Sequence, residues 1–87
     1  DRSTALVLAQ NKMTEINMMR MPEYEEVVEG DFEGHPGYRW EMESVKTPDL
    51  ELLEEYLGLK GMEIHLTVIW EEKGAEKSME FQTLLLE

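Results

Sequence analysis

The sequence contains no cysteine and no long hydrophobic run. Without cysteine the chain forms no disulfide, carries out no thiolate catalysis and builds no zinc site from cysteine ligands. The absence does not indicate whether the protein resides in an oxidising or a reducing compartment. No segment approaches the ~20 apolar residues of a membrane-spanning helix, and no signal peptide is visible. The 87 residues are enough for one small domain with a modest core.

Basic residues are also scarce. Eight lysines and arginines stand against twenty aspartates and glutamates, which gives a formal net charge of −12. Such a surface repels phosphate groups, so we expect no nucleic-acid partner and no binding to anionic membrane surfaces. Hydrophobic residues make up 41% of the chain, a proportion that favours a folded domain over a disordered one.

The first part of the sequence predicts a long helix over residues 3–21. Its apolar residues recur at steps of three and four and form one stripe on a helix. Ser3 is the expected N-cap, and Pro22 sets the limit of the helix because the residue before a proline avoids the α region. The stripe consists of Ala5, Leu6, Ala9, Met13 and Ile16, and we assign Ala9, Met13 and Ile16 to the core.

Several residues of this helix fall off that stripe. One sheet packed on one face cannot cover apolar residues on two sides, so we expect the helix to be part of a longer one that also packs against a partner. The predicted partner contacts are Val7, Leu8, Asn11, Met18 and Met19. We expect Leu8 and Met18 to lie on exposed surface, and packing under the first strand is the alternative for Met18 and Met19.

The remainder of the chain alternates apolar and polar residues with the period of half-buried strands. We predict four strands at about residues 25–33, 38–46, 62–71 and 77–86. Gly74 can take a positive φ in a hairpin between the last two strands. The side chains that we assign to the core from these strands are Trp40, Leu66, Val68, Trp70 and Phe81.

Residues 47–58 are compatible with a short helix or with an ordered loop. Thr47 or Asp49 could cap a helix, Leu50, Leu53 and Leu57 would then face the body of the protein, and Gly58 would end it. Over residues 1–87 the sequence thus predicts a single α+β domain, with one long N-terminal helix packed on an antiparallel sheet of about four strands.

No pattern in the sequence predicts catalysis, a cofactor, a metal site or a small-molecule substrate. The acidic run from Glu23 to Glu33 lacks the Asp-x-Asp-x-Asp-Gly spacing of a calcium loop. His35 falls in a turn, and His65 falls on the polar face of a strand beside Glu63. No nucleophile–base pair or glycine-rich phosphate loop is present, so we expect a non-enzymatic protein.

Three segments resemble one family in order and spacing. Residues 9–16, Ala-Gln-Asn-Lys-Met-Thr-Glu-Ile, are similar to a helical stretch of the I-type minor pseudopilins of type II secretion systems (the GspI family). Residues 37–42 resemble that family's glycine-led tryptophan strand, although Met42 stands where a second aromatic is frequent. Residues 62–70 are similar to its strand ending in tryptophan. The segment 47–61 is longer than the family pattern.

The resemblance implies a pilin-like fold and a role in assembly. A pseudopilin of this type would be anchored in the bacterial inner membrane by a single helix preceding these residues, with this domain in the periplasm. Its partners would be the J-type and K-type minor pseudopilins of the pseudopilus tip, with the H-type as a further candidate. Two alternatives stay open: a minor type IV pilin, and a stand-alone periplasmic or extracellular binding module with a cystatin-like helix over a sheet.

Overall fold

The computed structural model describes all residues 1–87. Two helices and four strands follow in the order α1 (Arg2–Met18), β1 (Glu26–Asp31), β2 (Tyr38–Val45), α2 (Pro48–Leu57), β3 (Gly61–Glu72) and β4 (Ala75–Leu86). The strands form one antiparallel sheet in the order β1-β2-β3-β4. The predicted α+β class, with an N-terminal helix on a four-stranded antiparallel sheet, is confirmed.

Helix α1 begins and ends earlier than the sequence predicts. Its N-cap is Asp1, not Ser3, and the Asp1 side chain accepts a hydrogen bond from the Thr4 amide at 2.9 Å. The helix stops at Met18, and Met19 already has an extended backbone. Pro22 therefore does not end the helix. The extended backbone of Met19 ends the helix, and Pro22 lies in the connection that leads to β1.

The core lies between α1 and the middle of the sheet, where α1 packs on β3 and β4. From Met62 to Trp70, buried and half-buried residues alternate along β3. The buried face lies under α1, and the other face is half-buried because β3 has a hydrogen-bonded neighbour on each side. The buried cluster consists of Ala5, Ala9, Ile16, Met42, Met62, Ile64, Leu66, Val68 and Trp70.

The predicted core residues fall into two groups. Five are members of the buried cluster: Ala9, Ile16, Leu66, Val68 and Trp70. The other three, Met13, Trp40 and Phe81, are partly buried and pack against that cluster from its rim.

Residues 48–57 form a helix, and local capping explains why. The Thr47 hydroxyl accepts a hydrogen bond from the Leu50 amide at 3.3 Å, and Gly58 takes a left-handed φ of 68° at the C-cap. Leu50 is buried against Gly61 of β3. Leu57, predicted to face the body of the protein, is 67% exposed. It lies about 10 Å further along the helix axis than Leu50, beyond this contact.

Strands β3 and β4 are joined by a two-residue turn. Lys73 and Gly74 both have positive φ, 52° and 77°, the combination that defines a type I′ hairpin turn. The positive φ anticipated at Gly74 is present, and the turn is tighter than the predicted strand ends suggest. This turn sets the register of the whole β3–β4 ladder, from Glu72 opposite Ala75 to Gly61 opposite Leu86.

Trp40 connects three elements of the fold. It stands opposite Gly30 of β1, and its ring lies over that glycine. A Cβ atom added to Gly30 would lie only 2.7 Å from Cζ2 of the ring. From α1, the Lys12 ammonium lies 3.9 Å from the ring centroid, within the range of a cation–π interaction. The missing side chain at Gly30 therefore leaves the space that the tryptophan occupies.

Gly30→Ala should lower the free energy of unfolding by about 1–3 kcal/mol, because the added methyl group displaces the Trp40 ring. Urea denaturation measures the change. Glu29→Ala, on the outer face of the same strand, is the control and should stay within about 0.5 kcal/mol. In a Trp40→Leu background the effect of Gly30→Ala should shrink. An equal cost in both backgrounds would show that the ring is not the cause.

Candidate interaction surface on the first helix

The residues predicted to contact a partner occupy different environments. Val7 and Met18 are 54% and 82% exposed, and Asn11 is exposed as well. Met19 is partly buried and packs against the core cluster, so only part of its side chain is accessible. Leu8 is only 7% exposed, and the prediction that it lies on open surface is wrong.

The burial of Leu8 has a tertiary cause. At about 100° per residue, Leu8 lies some 60° around the helix from Ala5, on the flank of the core-facing stripe. On that flank the end of β1 brings Phe32, and β2 brings Trp40, to the same small cavity that Leu8 lines. Leu8 thus lies near aromatic side chains from other parts of the chain, although it falls outside the stripe that periodicity identifies.

The opposite side of α1 carries one continuous exposed stripe. We call it the outer stripe, and its members are Val7, Asn11, Thr14 and Met18, all exposed. Their spacing of four, three and four residues places them within about 60° on the helix surface. Thr14 is absent from the predicted contacts, although the spacing alone would have identified it. Its hydroxyl donates to the carbonyl of Gln10 at 3.0 Å.

A groove runs beside the N-terminal half of the outer stripe. It has a volume of about 330 Å³ and lies between α1 and the turn that joins β1 to β2, which contributes His35. Its wall on the helix includes Val7 and Asn11, two residues of the outer stripe. An apolar side chain from a helix packed along the stripe could enter this groove, as ridges of one helix enter the grooves of another. The groove is lined by Ser3, Thr4, Val7, Leu8, Asn11 and His35.

A second cleft, of about 450 Å³, lies at the far end of the sheet. Arg20, Lys46 and Lys60 line it, but so do Glu23, Glu54 and Glu87, so the charges balance. Lys46 forms an ion pair with Glu54, and this hydrogen bond holds the pKa of Glu54 below its ordinary value. The ion pair thus links α2 to the end of β2, and the side chains that line the cleft carry no excess of either charge.

The two histidines lie in separate parts of the fold. His65 lies on the outer face of the sheet, with its Nε2 atom 2.7 Å from Glu63 and its Nδ1 atom 3.5 Å from Glu80. His35 lies in the turn between β1 and β2 with its ring edge towards Tyr38. No group of three or more histidine, aspartate or glutamate side chains is arranged to hold a metal ion.

No family model matches the chain, and no curated protein or solved structure is significantly similar to it. No helix combines the length and the apolar character that crossing a membrane requires.

Leu8→Glu should destabilise the domain by about 3 kcal/mol or more, because it places a charge in a buried apolar position. Val7→Glu, one residue away on the outer stripe, should change stability by no more than about 0.5 kcal/mol. Thermal unfolding followed by circular dichroism compares the two variants. Equal and small effects would mean that Leu8 is as exposed as Val7.

The ion pair between Lys46 and Glu54 should stabilise the fold only above the acidic range. The pKa of Glu54 lies below its ordinary value of 4.5 in the folded protein, so its contribution is present at neutral pH and is lost as pH falls through the lowered value. Glu54→Gln should therefore lower Tm at about pH 7 but not at about pH 2. Glu55→Gln, at the adjacent position, is the control and should show no such pH-dependent difference.

Proposed function

We propose that this protein is a non-enzymatic assembly subunit: a minor pseudopilin of a type II secretion system, with a pilin-like fold. The single observation that supports it best is the outer stripe of α1. The inner face of this helix is occupied by its own sheet, whereas the opposite face keeps exposed apolar residues at helix-packing spacing. The choice of family within this proposal is based on the similarity of residues 9–16, 37–42 and 62–70 to the I-type minor pseudopilins.

The outer stripe has the features of one side of a helix–helix seam. Val7 and Met18 provide apolar contact area near its two ends, and the shorter residues Asn11 and Thr14 lie between them. A polar residue inside an apolar seam costs stability but fixes the register of the two helices, as asparagine does in coiled coils. A partner helix packed here would lie on the side of α1 away from the sheet, so the sheet would point outward from the helical bundle.

The proposal includes an anchor and a location. A membrane helix would precede α1 in the natural protein, hold it in the bacterial inner membrane with a single pass, and leave this domain in the periplasm. The partners would be J-type and K-type minor pseudopilins, with the H-type as a further candidate. Their helices would meet the outer stripe, and no nucleic acid or small molecule would take part.

Val7→Glu and Met18→Glu should each weaken binding to the partner domains at least tenfold, about 1.4 kcal/mol, while the domain stays folded. Each variant is titrated against purified J-type and K-type domains by calorimetry, and circular dichroism reports the fold. Tyr56→Glu on α2 is the matched control: it also replaces an exposed apolar residue, 74% accessible, with a charge on a helix. It should leave the affinity unchanged.

Two results would count against the proposal. If the unmodified domain forms no complex with either partner by size exclusion at tens of micromolar, the pseudopilin assignment fails. If it binds but both stripe variants keep full affinity, the assembly role survives and the outer stripe is not the contact surface. The sequence of the natural gene upstream of Asp1 is a further test. A pseudopilin predicts an apolar membrane helix there, whereas a secreted binding module predicts a cleaved signal peptide.

A further inference from the structure

The two edges of the sheet differ in how well they are protected. Strand β1 is short, with six residues, and carries Glu26, Glu29 and Asp31. Strand β4 has twelve residues, no proline and an unbroken register with β3, so neither a bulge nor a missing amide interrupts it. Natural proteins usually blunt exposed edges with such devices or with a covering element. The one inward-facing charge on β4, Lys77, lies near the hairpin turn.

The hairpin fixes which backbone groups of β4 are free. In a two-residue hairpin the residues that flank the turn, Glu72 and Ala75, form a hydrogen-bonded pair, and such pairs then alternate along the ladder. The far end agrees, since Lys60 and Glu87 exchange two backbone hydrogen bonds at 3.4 and 2.8 Å. Odd-numbered residues of β4 thus bond to β3. Even-numbered residues from Glu76 to Leu86 direct their amide and carbonyl groups to the open edge.

From this edge we infer that β4 pairs antiparallel with β4 of a second copy of the chain, which extends the sheet to eight strands. The pairing is centred on Phe81. This register places Glu76 opposite Leu86 of the second copy, Ser78 opposite its Leu84 and Glu80 opposite its Gln82. It satisfies the free backbone groups of all six even-numbered residues, because the open part of the strand maps onto itself about Phe81.

The side chains on the core face favour the same register. On the core face, the two Phe81 rings meet, and Met79 stands opposite Thr83 of the second copy; these three residues are half-buried in one copy alone. Aromatic pairs across strands are among the stabilising cross-strand contacts. A shift that centres the pairing on Glu80 places two carboxylates directly opposite, and one centred on Gln82 leaves Glu76 unpaired. The full-length register avoids both faults.

Charge opposes the dimer without preventing it. Each copy carries a net charge of −12, so two copies repel each other over a distance that salt shortens. Dimerisation should therefore strengthen as salt is added, the reverse of an interface held by ion pairs. A heterologous basic strand bound to the same edge would show the opposite salt dependence.

Sedimentation equilibrium on the 87-residue protein, from about 10 μM to 1 mM and at low and high salt, tests the inference. We expect a monomer–dimer equilibrium that shifts towards the dimer with concentration and with salt. Ser78→Pro should abolish it and leave the circular dichroism unchanged, because the Ser78 amide faces the open edge and takes no part in the β3 ladder.

A charge pair at one position tests the register and does not depend on the proline variant folding. Gln82→Lys faces Glu80 of the second copy and should tighten the dimer several-fold, whereas Gln82→Glu should weaken it several-fold. The same substitutions at the exposed Gln10 on α1 change net charge equally and control for it. A monomer under all conditions, or equal effects at the two positions, would overturn the inference. Val7→Glu should leave the dimer intact, so failure here is separable from failure of the proposed function.

Discussion

Two alanines determine how this domain is assembled. Ala5 and Ala9 are completely or almost completely buried where α1 lies on the sheet, and their small side chains let the helix approach closely. The sheet side of this contact is the continuous buried face of β3. Strand β3 is also the hydrogen-bonded neighbour of both β2 and β4. The packing of the helix on the sheet and the order of the strands therefore both depend on β3. The core is small, and most of it lies where α1 packs on β3 and β4.

Such a small core leaves much of the surface unused by folding. The inner face of α1 is covered, but no second layer lies over its outer stripe, and no further strand continues the sheet beyond β4. The two open surfaces have different recognition physics. The helix offers side chains, so selectivity for a partner bound there would come from shape and register. The strand edge offers backbone groups, so selectivity there would come from strand length and from the charges next to it.

The sequence predicted best where local rules act alone. The period-2 pattern from Met62 to Trp70 reports burial of β3 directly, and Gly74 marks the hairpin because few other residues tolerate its φ. Thr47 and Gly58 indicated α2, although residue patterns could not decide between helix and loop. The end of α1 was predicted too late because Pro22 permits termination at any earlier residue, and Met19 adopts the extended backbone first.

The candidate surface was predicted only in part, for a tertiary reason. Helical periodicity places Val7, Asn11 and Met18 away from the sheet, and the structure leaves all three exposed. The same periodicity could not reveal that Phe32, distant in sequence, shares a cavity with Leu8. Thr14 was missed although its angular position places it in the outer stripe.

The two tryptophans occupy contrasting environments, and this has a practical consequence. Trp70 is nearly inaccessible and lies parallel to Tyr38 within the sheet, with ring centroids 6.2 Å apart. Trp40 is half-exposed at the rim and lies beneath the ammonium group of Lys12, which belongs to α1. If the helix lifts away, the indole of Trp40 loses a nearby cation and gains water, whereas that of Trp70 responds only when the strands separate. Fluorescence from single-tryptophan variants thus provides separate optical signals for undocking of the helix and melting of the sheet.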